Sequence, residues 1–120
     1  MLTVEQVSAA LPANLKNSAS QELVDKINAV VSDPEHAETV RNNFLSYTRV
    51  LQEGKFKLDD YLHAIMYVSY KLMGYSNQDA YVTTFPQRYQ ELRLRGADAR
   101  EISAYVSMYN KGKLVNLILE

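Results

Sequence analysis

The chain has no cysteine, and that absence removes disulfides, thiolate nucleophiles and cysteine-ligated zinc together. It fits a cytoplasmic protein. Glycine is scarce: the four present stand singly at expected helix ends, so no glycine-rich loop can cradle a phosphate. No apolar run approaches the roughly 20 residues needed to span a membrane, and no basic, apolar and small-residue succession marks a secretory leader. Charge of one sign is also lacking. A net of −1 gives no overall pull towards nucleic acid.

What is present is unevenly placed. Residues 1–60 carry six Lys/Arg against nine Asp/Glu, a net of −3, whereas residues 61–120 carry seven against five, a net of +2. Eight of the nine tyrosines fall between Tyr61 and Tyr109. A basic, tyrosine-rich second half is where phosphate contacts are best sought. Half-buried rings at the edge of a core are the competing explanation for the tyrosines. At 120 residues the chain is expected to form one domain with a core of its own. It is expected to divide into an N-terminal acidic helical segment, 1–57, and a tyrosine-rich, helix-turn-helix-like segment, 58–120, whose positive charge lies beyond Asp60.

Helix signals run through the whole length, and no stretch alternates with period two. The expected fold is therefore all-α, a compact bundle of about seven helices. Thr3 with Gln6 opens a first helix that Pro12 and Asn14 close, and residues 18–20 cap a second with Leu23, Val24, Ile27, Val30 and Val31 inward. Asp33-Pro34-Glu35 starts a third, expected to carry Val40, Phe44, Val50 and Leu51 inward and to end at Gly54.

Residues 59–86 organise the rest. Leu62, Ile65, Met66, Ser69, Leu72 and Met73 make one apolar face, which Tyr61, Ala64, Val68 and Tyr75 extend around the cylinder. Such a helix is expected to be surrounded by other helices or by a partner chain. Gly74 stops it and Ser76 caps a short helix, giving a helix, a tight turn and a helix. Pro86 then opens a helix with Tyr89, Leu92 and Leu94 inward and Arg88, Arg93 and Arg95 outward. Gly96 stops it, Asp98 caps the next, and Ile102, Tyr105, Val106 and Tyr109 line that one. After a basic turn at residues 110–113, LVNLILE is apolar on nearly every side and is expected to bury itself in the bundle.

Catalytic chemistry is not legible. His63 lies four residues from Asp59 on one helix face, which gives two possible metal ligands but no third. Adjacent Asp59 and Asp60 point to different sides and serve the positive end of their helix. Serines and carboxylates form no nucleophile motif, so the expectation is a non-enzymatic protein without metal or cofactor.

The run Gly74-Tyr75-Ser76-Asn77-Gln78-Asp79-Ala80-Tyr81, with Ile102 to Met108, residues 110–113, and Leu114-Val115 with Ile118, resembles the DNA-binding domain of phage terminase small subunits. The resemblance covers about residues 61–119. It implies a helix-turn-helix that recognises a viral packaging site on double-stranded DNA, assembly into a homo-oligomer, and regulation of the large terminase subunit. Asn77 and Gln78 would reach phosphate or a base edge from a helix N-terminus, while Arg88, Arg93, Arg95, Arg100, Lys111 and Lys113 would supply phosphate contacts. Tyr70, at a position that normally holds a small residue, must turn its ring outward or splay the two helices. Two other readings stay open: a helical structural or protein-interaction module, such as a virion or adaptor component, and a dimeric helix-turn-helix transcription regulator.

Overall fold

The computed structural model describes residues 2–29, 34–53 and 56–119. Among them the protein is all-α, with eight α-helices, two 3-10 helices and no strand. The chain divides into two compact units, Met1–Leu62 and His63–Glu120. The division falls inside the long helix α4, Leu58–Leu72, a few residues beyond the expected boundary at 57.

In the first unit, α1, Val4–Ala10, begins with a reciprocal cap: the Gln6 N–H donates to Thr3 Oγ1 at 3.2 Å and the Thr3 N–H donates to Gln6 Oε1 at 2.9 Å. A 3-10 helix over Ala13–Ser18, which the sequence did not announce, follows Pro12. Helix α2, Gln21–Ala29, is capped by Ser20 and buries Leu23, Val24 and Ile27. Its Asn28 amide clasps the N-terminal segment from both sides, accepting from the Leu2 N–H and donating to the Leu2 carbonyl, both at 3.1 Å. The expected contributions of Val30, Val31, Asp33 and Gly54 lie outside the described residues.

Helix α3, Pro34–Ser46, buries Ala37, Val40 and Phe44 and stops earlier than expected. Val50 and Leu51 are buried as foreseen, but on a separate 3-10 helix, Thr48–Gln52. At the break the Ser46 and Thr48 hydroxyls donate back to the Asn42 and Leu45 carbonyls, the kind of side-chain competition that bends a helix. The Phe44 carbonyl is among the last four of α3, which an α-helix cannot satisfy internally. The Tyr61 hydroxyl, from α4, donates to it at 2.6 Å while the two rings meet edge to face at 5.0 Å. Burial pushes the Tyr61 phenol far above its ordinary pKa, with Tyr47 adding to the rise.

Of the ten residues from 61 to 70, all but His63 are buried, as the all-round apolar pattern requires. Leu72 departs from it: it is the last residue of α4 and is 63% exposed.

The second unit continues α4 into α5, Asn77–Thr84; α6, Pro86–Leu94; α7, Ala99–Asn110; and α8, Lys113–Leu119. Two of its turns are built alike. After α4, Gly74 adopts φ +99°, its N–H donates to the Lys71 carbonyl and the Tyr75 N–H donates to the Tyr70 carbonyl, both at 3.0 Å. After α6, Gly96 adopts φ +85° with the same pair of bonds, to Arg93 at 3.1 Å and from Ala97 to Leu92 at 2.9 Å. Both glycines supply a left-handed residue that lets the helix close its last carbonyls. Each turn then leads to a side-chain cap, Ser76 receiving the Asp79 N–H and Asp98 receiving the Glu101 N–H.

Tyr70 neither turns outward nor stands alone: it is buried with its ring 5.1 Å from that of Tyr75. The Tyr109 ring meets Tyr67 and Phe85 edge to face, each at 5.0 Å, and Tyr81 at 5.8 Å. Most tyrosines are therefore buried or half-buried. Leu94 is 81% exposed rather than inward, and Tyr105 faces out while Ile102 and Val106 are buried. In α8, Val115 and Ile118 are buried and Leu119 is not.

Candidate nucleic-acid interface

The eight candidate side chains all belong to the second unit, but they do not share one face. Two groups emerge, with Arg93 and Lys113 apart from both.

The first group forms a polar cleft of about 240 Å³ lined by Asn77, Gln78, Ser103, Val106, Ser107 and Asn110. Ser76, by capping α5, leaves Asn77 and Gln78 exposed in its first turn, where backbone N–H groups lack helical partners. Opposite them, Ser103, Ser107 and Asn110 recur at four and three residues and so form one stripe along α7. Exposed Arg100 and Lys111 sit three before Ser103 and four after Ser107, which places them beside that stripe.

Asn110 is oriented from beneath. Its Oδ1 accepts from the Tyr67 hydroxyl at 2.8 Å and from Lys71 Nζ at 2.9 Å. With two donors committed to the oxygen, the amide NH₂ is turned the other way and has only donors to offer. The Lys71 ammonium also lies 5.6 Å from the centre of the Tyr67 ring.

The second group lines a groove of about 380 Å³ among Tyr81, Arg88, Glu91, Leu92, Arg95 and Tyr105. The Arg88 guanidinium lies 4.1 Å from the centre of the Phe85 ring, and that of Arg95 lies 5.9 Å from Tyr105. Arg95 also approaches Glu101 at 3.5 Å, an exposed pair of the sort that contributes little. Hydrogen bonding with Tyr105, and then the Glu101 carboxylate, raise the Arg95 pKa further above its ordinary value.

Arg93 stands apart. Five residues from Arg88, it lies about 140° further round α6 and packs on Tyr89, donating to its hydroxyl at 3.3 Å. Lys113 is exposed at the start of α8.

Sequence reasoning missed Ser103, Ser107 and Asn110 as one surface. The signal was available, because they repeat at helical spacing along α7. It also missed Tyr81, Glu91 and Tyr105 as neighbours of the arginines, which no local pattern encodes.

His63 packs against Phe85, with ring centres 5.1 Å apart. Among the described residues no three His, Cys, Asp or Glu side chains converge on a metal-sized site, and no helix is long and apolar enough to cross a membrane. Comparison with protein-family models, with curated proteins and with solved structures finds no match to this chain.

Proposed function

We propose that this chain is a non-enzymatic recognition protein for double-stranded DNA, of the kind the terminase small-subunit resemblance implies. Its packaging role and its partner, the large terminase subunit, follow from that resemblance. The observation that carries the DNA reading is the polar cleft, where the first turn of α5 faces the Ser103, Ser107 and Asn110 stripe of α7. Small hydroxyls on α7 let a duplex approach the helix closely. Asn77, Gln78 and Asn110 bring amides able to meet base edges. Arg100 and Lys111 flank the stripe as phosphate contacts, which position a duplex without reading it.

Two flanking cations on one subunit give weak binding, in the non-specific range of ~10⁻⁴–10⁻⁶ M. A homo-oligomer that repeats the cleft gains avidity of ~10²-fold or more without any new contact. The net charge of −1 therefore counts against tight binding by a monomer, not against binding by an assembly.

Titration of a labelled duplex at low salt, followed by fluorescence anisotropy, tests the reading. Arg100→Glu with Lys111→Glu is expected to weaken binding at least about tenfold and to reduce the slope of log K against log[salt] by about 2. No binding by the assembled wild-type protein at low salt ends the proposal.

A second reading, a helical protein-interaction module, is favoured by a different observation. Leu72, Leu94, Tyr105, Met108 and Leu119 are large, apolar and exposed, and all lie in the second unit. Light scattering that shows a strict monomer, with no partner bound, counts against it.

A further inference from the structure

The groove between Arg88 and Arg95 has features that a phosphate contact on a duplex does not need. Phosphates on a double helix are met at an exposed surface. This groove is concave, with a buried apolar floor at Leu92 and an aromatic wall at Tyr81. At about 380 Å³ it falls within the range of small-ligand sites, roughly 300–1,000 Å³. Tyr105 lines it with 40% of its surface exposed, an unusual position for a ring in a unit whose other tyrosines are buried or half-buried.

The charges are arranged along one side of α6. Arg88, Glu91, Leu92 and Arg95 stand at spacings of three, four and seven residues, so they share a face. The two arginines are two turns apart, about 10 Å along the axis, with Glu91 between them. A guanidinium packed face-on against a ring keeps its in-plane N–H edge for an anion. The Arg88 guanidinium lies over the Phe85 ring, 4.1 Å from its centre, and that of Arg95 lies 5.9 Å from the centre of the Tyr105 ring, within reach of Glu101.

We propose that this groove binds one unpaired nucleotide of a single-stranded nucleic acid, its base stacked on Tyr105 and its two flanking phosphates on Arg88 and Arg95. A nucleotide within a strand carries a phosphate on each side, which suits two cations bracketing a central acid. A free nucleotide offers its phosphate at one end only. Glu91 accepts from a base N–H and keeps the phosphates to the two ends. Bases in a duplex are paired and stacked, and cannot enter. The site is thus separate from the cleft proposed for duplex DNA and does not rest on that reading.

The test is anisotropy titration of a labelled oligothymidylate about a dozen nucleotides long, alongside a labelled duplex, with unlabelled thymidine monophosphate as competitor. Tyr105→Ala is expected to weaken single-strand binding by about 5- to 100-fold, the range that stacking on an aromatic side chain contributes. Tyr105→Phe retains it, and Arg88→Ala with Arg95→Ala weakens it and flattens its salt dependence. Duplex affinity stays unchanged in Tyr105→Ala, and circular dichroism confirms the fold of each variant. The proposal is overturned if Tyr105→Ala binds the oligonucleotide as wild type does, or if single-strand and duplex affinities fall together. Displacement by the mononucleotide at matched nucleotide concentration overturns the assignment to a strand. Loss of the duplex proposal alone would show as single-strand binding that persists where no duplex binds.

Discussion

Helix α3 of the first unit ends by a different means from α4 and α6, which end in the second. In the first unit, α3 gives way to a 3-10 helix, and the carbonyl of Phe44 accepts from a tyrosine hydroxyl of α4. In the second, α4 and α6 each finish on a left-handed glycine and a pair of backbone bonds, and the next helix begins at a side-chain cap within a few residues. The first solution depends on contacts distant in sequence; the second is local. Local closure leaves the surfaces of α5, α6 and α7 for other work. That agrees with where the grooves lined by candidate side chains, and the large exposed apolar residues, are found.

The contrast can be broken most forcefully at Phe44. Phe44→Ala removes a fully buried ring and is expected to cost about 3–5 kcal/mol. Denaturant unfolding gives the total, and native-state hydrogen exchange locates it. Amides of the first unit should lose most protection, and an equal loss in both units would erase the distinction.

Tyr61→Phe is milder because the ring survives. It leaves the Phe44 carbonyl without its donor, at a cost of about 1–3 kcal/mol. The same substitution sharpens the pH dependence. The Tyr61 phenol is pushed above its unfolded value of about 10, so its contribution is fully present below pH 10 and is lost as pH rises beyond it. Burial raises Tyr67 and Tyr70 in the same direction. Wild type should therefore destabilise above about pH 10, and Tyr61→Phe should show a shallower alkaline decline in melting temperature.

The smallest effect is expected at Gly74. A Cβ there meets nothing within 4 Å, so Gly74→Ala pays only for the left-handed backbone, about 1–2 kcal/mol. Thermal melts check the size. A loss several times larger would mean that the turn is held by more than its local bonds.

How much of this was legible follows the same division. The caps at Thr3, Ser20, Ser76 and Asp98, and the two glycine stops, were readable because each is settled within a few residues. The break after Ser46 was not, because hydroxyls competing with the helix ladder leave the apolar spacing of Val40, Phe44, Val50 and Leu51 intact. Leu72 and Leu94 were misplaced for a common reason. Each is the last residue of its helix, where periodicity still points inward but neighbouring side chains no longer cover it. Of the site, the residue types were legible and the grouping was not. Which arginine faces Tyr105 and which faces Tyr89 depends on how α6 lies against its neighbours.

The Asn110 carboxamide carries one last implication. Because Tyr67 and Lys71 occupy its oxygen, this side chain meets the cleft as a one-way partner. A group that arrives with lone pairs, such as a phosphate oxygen or the N7 and O6 edge of guanine, finds a match there. A group that arrives with a hydrogen to give finds no acceptor at Asn110 and must turn to the hydroxyls of Ser103 and Ser107 or the side-chain amides of Asn77 and Gln78.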